Sequence, residues 1–318
     1  MKTRKGKLAL ALVFFPLFFL IASCSLGTAS ITTTRKALLI GINTYPTSRD
    51  LTYPVADANS MQALLVAQGW DTEILTDTQA TKSGIQAAIH DFLGGVPSDG
   101  TALIYYSGHG TVSNPIAASY QADHGTLSTF SGSIGDAWLV PYDFDTTNWT
   151  GGISASDLST WFEADLLTKN VIVIADSCFS GGFVPISDSA DTIGQEYAVD
   201  SGGSVYSSSL AALGSFGDLL AANAAAKGTL SPVVISAAGS RESSYDGTPS
   251  QGHGVFTYYL LESATKGDAN GDGYVTCTEA YTYAAKAVNR AWNNSIGSSM
   301  EFYPHISGGL RDLALFKL

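Results

Sequence analysis

The sequence predicts an α/β fold: a mostly parallel sheet with helices on both faces. Three observations predict it. Uninterrupted apolar runs recur along the chain, as in strands buried on both sides. Segments with apolar residues at helical spacing separate these runs. Strands that alternate with helices need crossover connections, and such connections cover both faces of a parallel sheet. The chain has 318 residues, long enough for a sizeable core. With 45% hydrophobic and 14% charged residues it is not of the disordered class. A formal net charge of −12 argues against nucleic acid as a partner.

The N-terminus stands apart from this pattern. Lys2, Arg4, Lys5 and Lys7 make a positive segment, and residues 8–23 are apolar and uncharged. This is the plan of a secretory signal over residues 1–23, and it is short for a membrane span. Leu20-Ile21-Ala22-Ser23-Cys24 resembles the bacterial lipobox, which implies lipidation of Cys24. An uncleaved anchor helix with an incidental cysteine is the alternative. Either reading places the rest of the chain in the bacterial cell envelope, on a membrane and outside the cytoplasm, with a lipid anchor on the first reading. Residues 24–34 are then a Ser/Thr-rich tether, and residues 35–318 form the folded domain.

Within that domain, residues 36–43 read as the first buried strand. Residues 57–70 have helical spacing, with Met61, Leu64, Leu65 and Val66 on one side. Residues 72–76 are a short strand. Residues 81–92 are a second helix, with Ile85, Ala88, Ile89 and Phe92 in step. Residues 101–106 make a third strand, 158–167 a helix, 170–175 a fourth strand and 232–236 a fifth. Residues 111–135 and 188–228 are long, rich in small residues and read as loops. Loops of that length are usually functional or disordered.

Two strands run into chemistry. The third leads into Ser107-Gly108-His109-Gly110, the fourth into Asp176-Ser177-Cys178-Phe179-Ser180-Gly181-Gly182. Ligands of open parallel sheets bind beyond the carboxyl ends of the strands. If these strands are neighbours, His109 and Cys178 meet there. A thiolate is the reactive form of cysteine, and an imidazole can take its proton and later return it to a leaving amine. The N–H groups of Cys178 and Gly110 are candidate oxyanion donors. No carboxylate that would orient His109 is visible, so a dyad is expected. Besides Cys24 the chain has Cys178 and Cys277. A free thiol in an oxidising compartment points to a chemical role, and a Cys178–Cys277 disulfide is the disfavoured alternative.

Tyr105 to Gly110 and Asp176 to Gly182 closely resemble the two sequence blocks of metacaspases and bacterial caspase-like peptidases, and residues 36–43 resemble that family's first strand. The resemblance covers about residues 35–318. It implies a caspase–hemoglobinase three-layer sandwich and a cysteine endopeptidase, with protein or peptide substrates. The cysteine block departs from the Gln-Ala-Cys-Arg-Gly of animal caspases. Metacaspases cut after Arg or Lys and use acidic pocket residues. Asp57, Ser107 and Asp176 match those positions, so a basic residue at the substrate position before the cut, P1, is expected, with Arg241 and Glu242 as further candidates for the cleft. Self-cleavage is expected after Lys227. Monomeric behaviour is expected.

Residues 268–279 match an EF-hand loop. Oxygen-bearing Asp268, Asn270, Asp272, Thr276 and Glu279 fall at positions 1, 3, 5, 9 and 12, Gly273 at position 6, and Tyr274 offers its carbonyl. Ca2+ is the expected ligand, with a plain acidic turn as the alternative. Helical segments are expected on either side, at 255–261 and 278–292. Two alternatives to a basic-specific peptidase stay open: a catalytically silent calcium-binding or interaction module on the same fold, and a peptidase specific for Asp or Asn.

Overall fold

The computed structural model describes residues 33–124, 127, 129–178, 232–239, 242–246, 250–296, 300–307 and 313–318. The chain enters at β1 (Arg35–Gly41), followed by α1 (Pro54–Ala67), β2 (Asp71–Thr76), α2 (Lys82–Asp91) and β3 (Thr101–Ser107). A small antiparallel sheet follows, β4 (Gly110–Val112), β5 (Ala137–Leu139) and β6 (Ile153–Ser154), with α3 (Pro115–His124) between its first two strands. Then come α4 (Ala155–Asp165), β7 (Asn170–Asp176), β8 (Val233–Ser236) and α5 (Val255–Lys266). The chain closes with β9 (Tyr274–Thr276), α6 (Cys277–Val288), β10 (His305–Ser307) and β11 (Ala314–Lys317). The main sheet has the order β10-β8-β7-β3-β1-β2, parallel except for β10.

Alternation along each central strand divides the core in two. Leu38, Ile40, Ile104, Tyr106, Val173 and Ala175 pack on the face covered by α2 and α4. Leu39, Leu103, Tyr105, Ile172 and Ile174 pack on the face covered by α1, α5 and α6. Successive side chains of a strand point to opposite faces. An apolar run with no polar interruption therefore needs two apolar layers to receive it, and the three-layer α/β expectation holds. Each fully buried Leu or Ile contributes roughly 1.5–3 kcal/mol.

Several boundaries shift for local reasons. The first helix begins at Pro54, since proline suits the first helical turn, so Asp57 lies one turn inside. The helix expected at 158–167 runs from 155 to 165. Ser154 and Asp157 form a reciprocal capping box that starts it early, and Leu166 turns extended. The segment 111–135 is not simply a loop, since it holds part of β4 and all of α3. The helix read at 255–261 continues to Lys266, and the one read at 278–292 ends at Val288 in a π-turn over Asn289–Asn293. Among the described residues no helix is long and apolar enough to cross a membrane.

At the end of β1 the strand and α1 nearly touch. A Cβ on Gly41 would lie 2.5 Å from the Pro54 carbonyl oxygen and 2.9 Å from the Ala58 Cβ. Only a residue without a side chain allows α1 to start this close to the sheet edge, and that closeness brings Asp57 over the ends of the central strands.

Candidate active site

β3 and β7 are neighbours, and their register pairs Ser107 with Asp176. His109 and Cys178 therefore each lie two residues beyond the same rung, at the carboxyl edge of the sheet. The Gly108 N–H donates to the Asp176 carbonyl at 3.2 Å and ties the two turns together. Beyond it the backbones are so close that a Cβ on Gly110 would lie 1.9 Å from the Cys178 carbonyl oxygen. Gly110→Ala is expected to push the two turns apart and to lower the peptidase turnover that the resemblance implies at least about tenfold, since a 1 Å misplacement can cost about a hundredfold. Steady-state rates, beside a melting temperature lowered by the clash with the Cys178 backbone, would check this.

The His109 ring is held from three directions. Its backbone N–H donates to the Tyr45 hydroxyl at 2.9 Å, and the two rings lie 4.8 Å apart. The His109 carbonyl accepts from the Tyr106 hydroxyl at 2.7 Å and from the Val140 N–H at 3.0 Å. Nε2 lies 2.6 Å from the Arg49 carbonyl oxygen. A carbonyl can only accept, so Nε2 carries the hydrogen and Nδ1 is left as the proton acceptor. The orienting group missing from the sequence is thus a backbone carbonyl, which no side-chain motif could reveal. Burial pushes the imidazole pKa below its ordinary value, partly offset by the Arg49 carbonyl.

Cys178 is half-buried, with its Sγ 3.9 Å from the Ser244 carbonyl oxygen. Burial pushes the thiol pKa up, opposed by hydrogen bonding at the Ser244 backbone and the Ser243 side chain. Cys178 and Cys277 are both free, which rules out the alternative disulfide, and Cys277 is fully buried on the first turn of α6.

The three expected pocket residues come together beside the cysteine. Asp57 and Asp176 are 1% and 6% exposed. The Ser107 hydroxyl donates to Asp57 Oδ2 at 2.9 Å. Both carboxylates press against Gly254, where a Cβ would lie 2.6 Å from Asp176 Oδ2 and 3.2 Å from Asp57 Oδ2. Asp176 accepts from the Ser244 hydroxyl at 2.5 Å and from the Thr257 hydroxyl and N–H at 2.7 and 3.1 Å. Asp57 also accepts from His253 Nδ1 at 2.8 Å. Burial first, and then the charge of Asp57, raise the Asp176 pKa to about 6. Burial raises that of Asp57 too, against the hydrogen bonds from His253 and Ser107.

Ser244, His253, Gly254 and Thr257 escaped the sequence reading. Gly252-His253-Gly254 does repeat the Gly-His-Gly of residues 108–110, a local signal that could have marked it. Glu242, the other expected cleft candidate, is held by backbone groups. Its carboxylate accepts the N–H groups of Gly239 at 3.0 Å and Tyr303 at 2.8 Å. Arg241, Lys227 and Cys24 lie outside the described residues.

The 268–279 loop folds around its own acids. Asp268 accepts from the N–H groups of Gly271, Asp272 and Gly273, Asn270 from Asp272, and Asp272 from Tyr274. Gly271 and Gly273 have φ of 77° and 86°, in the left-handed region. Glu279 accepts from the Ala269 N–H and also caps α6 in a box with Thr276. β9, inside the loop, pairs with β11 at the end of the chain. Among the described residues no three His, Cys, Asp or Glu side chains are gathered as a metal-holding group. The donors offered are all oxygens, which fits a hard cation.

The caspase domain model matches residues 34–312. Metacaspase-1 of Candida albicans is 30% identical over 166 residues, covering 48% of this chain and 34% of that protein. Metacaspase-4 of Arabidopsis thaliana is 31% identical over 176 residues, 51% of this chain and 37% of that protein. The chain thus spans about a third of the length of these relatives. Among solved structures, caspase-1 from Spodoptera frugiperda superposes with a TM-score of 0.51 at 13% identity, covering 90% of this chain and 91% of that one. Protein GSU0716 from Geobacter sulfurreducens superposes equally well, with a TM-score of 0.51 at 18% identity over 89% and 97% of the two chains. A domain match over nearly the whole described region, on a sheet whose neighbouring strands end in a histidine and a cysteine, places this chain in the caspase-domain family.

Proposed function

We propose that the chain is a cysteine endopeptidase that cuts after arginine or lysine, with Cys178 as nucleophile and His109 as general base. The observation that carries this reading is the β3–β7 register, which sets both residues beyond one rung beside two buried carboxylates. His109 Nδ1 takes the thiol proton as Cys178 Sγ attacks the substrate carbonyl carbon. The N–H groups of Cys178 and Gly110 are the proposed donors to the oxyanion. The carbon–nitrogen bond then breaks, the amine leaves with the proton from His109, and water, deprotonated by His109, hydrolyses the thioester. Asp57 and Asp176, with Ser107, would pair with a P1 guanidinium or ammonium. An acidic P1 side chain would instead meet two carboxylates, which favours the basic reading over an Asp-specific one.

The test is hydrolysis of peptides with Arg, Lys, Asp or Asn at P1, beside Cys178→Ala. Cleavage confined to Arg and Lys and absent in the variant supports the reading. Cleavage of Asp or Asn peptides alone would overturn the specificity, and cleavage of none would leave a silent module.

The 268–279 loop is proposed to bind Ca2+ through Asp268, Asn270, Asp272, the Tyr274 carbonyl, Thr276 and Glu279. Ca2+ at a hundredfold excess over its Kd is expected to add about 2.7 kcal/mol of stability. The melting temperature should therefore rise with Ca2+, fall with a chelator, and respond less in Asp272→Asn. Lipidation of Cys24, with the envelope membrane as the resulting location, and self-cleavage after Lys227 complete the proposal. Mass spectrometry of the active protein tests both.

A further inference from the structure

We propose that the Ser243 hydroxyl donates a hydrogen bond to the Cys178 sulfur as negative charge forms on it, and that Gln121 on α3 is the positioning residue that aims this hydrogen. The inference rests on the reading of Cys178 as nucleophile and goes beyond it by naming what steadies the sulfur.

Ala117 and Ala118 bury one face of α3. Gln121 follows Ala117 by four residues, so it lies on the same face one turn later. Its amide reaches across 122 positions of chain and donates from Nε2 to Ser243 Oγ at 3.1 Å. Ser243 is 6% exposed. Its neighbour Ser244 places a carbonyl oxygen 3.9 Å from Cys178 Sγ. The Ser243 side chain hydrogen-bonds both the Cys178 thiol and the Tyr245 hydroxyl.

A serine hydroxyl has two lone pairs and one hydrogen. The Gln121 N–H fills one lone pair. The Tyr245 hydroxyl fills the other as a donor, and the Ser243 hydrogen is left for the sulfur. A protonated thiol has a hydrogen to give, and the Ser244 carbonyl accepts it. Once His109 takes that proton the sulfur needs a donor, and a hydrogen bond to the charged form favours that form. The aimed hydroxyl thus opposes what burial costs the thiolate. The ionisable groups around the sulfur are Tyr106 and His109 at the end of β3, Tyr45 after β1, Asp176 on β7 with Asp57 behind it, and Tyr245 and Glu242 beside Ser243. On α3 itself Asp123 and His124 are exposed.

The experiment is alkylation of Cys178 by iodoacetamide from about pH 6 to 10, followed on the Cys178 peptide by mass spectrometry, which reads the thiolate directly. The full chain is used as wild type, Ser243→Ala, Gln121→Glu and the double variant. Ser243→Ala removes the donor, so alkylation below the midpoint should slow by about tenfold, a midpoint higher by about one pH unit. The rate on the high-pH plateau should stay the same, since access to the sulfur is unchanged. A carboxylate in place of the Gln121 amide can only accept, so it draws the Ser243 hydrogen away from the sulfur. Gln121→Glu alone should therefore match the Ser243→Ala shift, and should add little in the Ser243→Ala background. The added negative charge by itself would act equally in both backgrounds. A Ser243→Ala midpoint equal to that of wild type, or a Gln121→Glu shift of one size in both backgrounds, would overturn the inference. Coupled shifts in a wild-type chain that cuts no peptide would keep the hydrogen-bond relay and overturn the reading of Cys178 as a peptidase nucleophile.

Discussion

Cys178→Ala is expected to abolish peptide hydrolysis, and His109→Ala to lower kcat/KM by about 10²–10⁴-fold, the usual worth of a positioned acid–base group. Initial rates on a P1-arginine peptide, with unchanged melting curves, measure both. The geometry also predicts how the pair rests. Burial raises the Cys178 thiol pKa and lowers that of the His109 imidazole, so both groups are neutral near pH 7. The thiolate is then formed on substrate attack, when Nδ1 takes the proton. Alkylation of the resting enzyme by iodoacetamide should accordingly be slower at pH 7 than that of a free thiol, and should climb as pH rises past the ordinary thiol range. Fast alkylation, flat from pH 5 upward, would show instead a resting thiolate–imidazolium pair.

On the proposed basic-P1 specificity, Asp57→Asn and Asp176→Asn are each expected to reduce kcat/KM for P1-arginine peptides by about 10²–10⁴-fold, since removing one member of a buried ion pair costs about 3–5 kcal/mol. Peptides with citrulline, the uncharged isostere of arginine, should be affected far less. The Asp176 pKa, raised to about 6, adds a pH dependence. As pH falls through about 6, Asp176 takes up a proton, the cleft loses negative charge, and arginine cleavage should fall with it.

The same shift has a stability consequence of opposite sign. The ordinary carboxyl pKa is 3.8 and the folded value is about 6, so the fold binds this proton more tightly than the unfolded chain does. Stability is therefore lost as pH rises from about 4 to about 6, and the full cost, about 3 kcal/mol, persists above that. Asp176→Asn should raise the melting temperature at pH 8 and leave it nearly unchanged at pH 4. A loss of stability at pH 8 would mean that the hydrogen bonds from Ser244 and Thr257 outweigh the buried charge. On the proposed specificity, the expected pattern is a stable but unspecific variant, with the Asp176 carboxylate serving binding at the expense of the fold.

Much of this was written locally. Residues 36–41, 101–106 and 170–175 are apolar at every or nearly every position, and a strand with two apolar faces can only lie inside a covered sheet. His109 and Cys178 follow two such strands at once, so their place at a strand's end was legible too. Boundaries were less so. Ser154 and Asp157 start a helix through hydrogen bonds that carry no hydrophobic period, and the three-residue strands β4 and β5 are too short to show one.

By itself the sequence determined the three-layer plan and the two chemical turns, because apolar period and residue type act within a few residues; Asp57, Ser107 and Asp176 stood out only through the family resemblance. The tertiary structure alone decided that β3 lies beside β7, that the Arg49 carbonyl selects the His109 tautomer, and that His253 meets Asp57 across 196 positions of chain. Strand order depends on how whole layers bury their faces, and a carbonyl or a loop histidine acquires its partner only when those layers close.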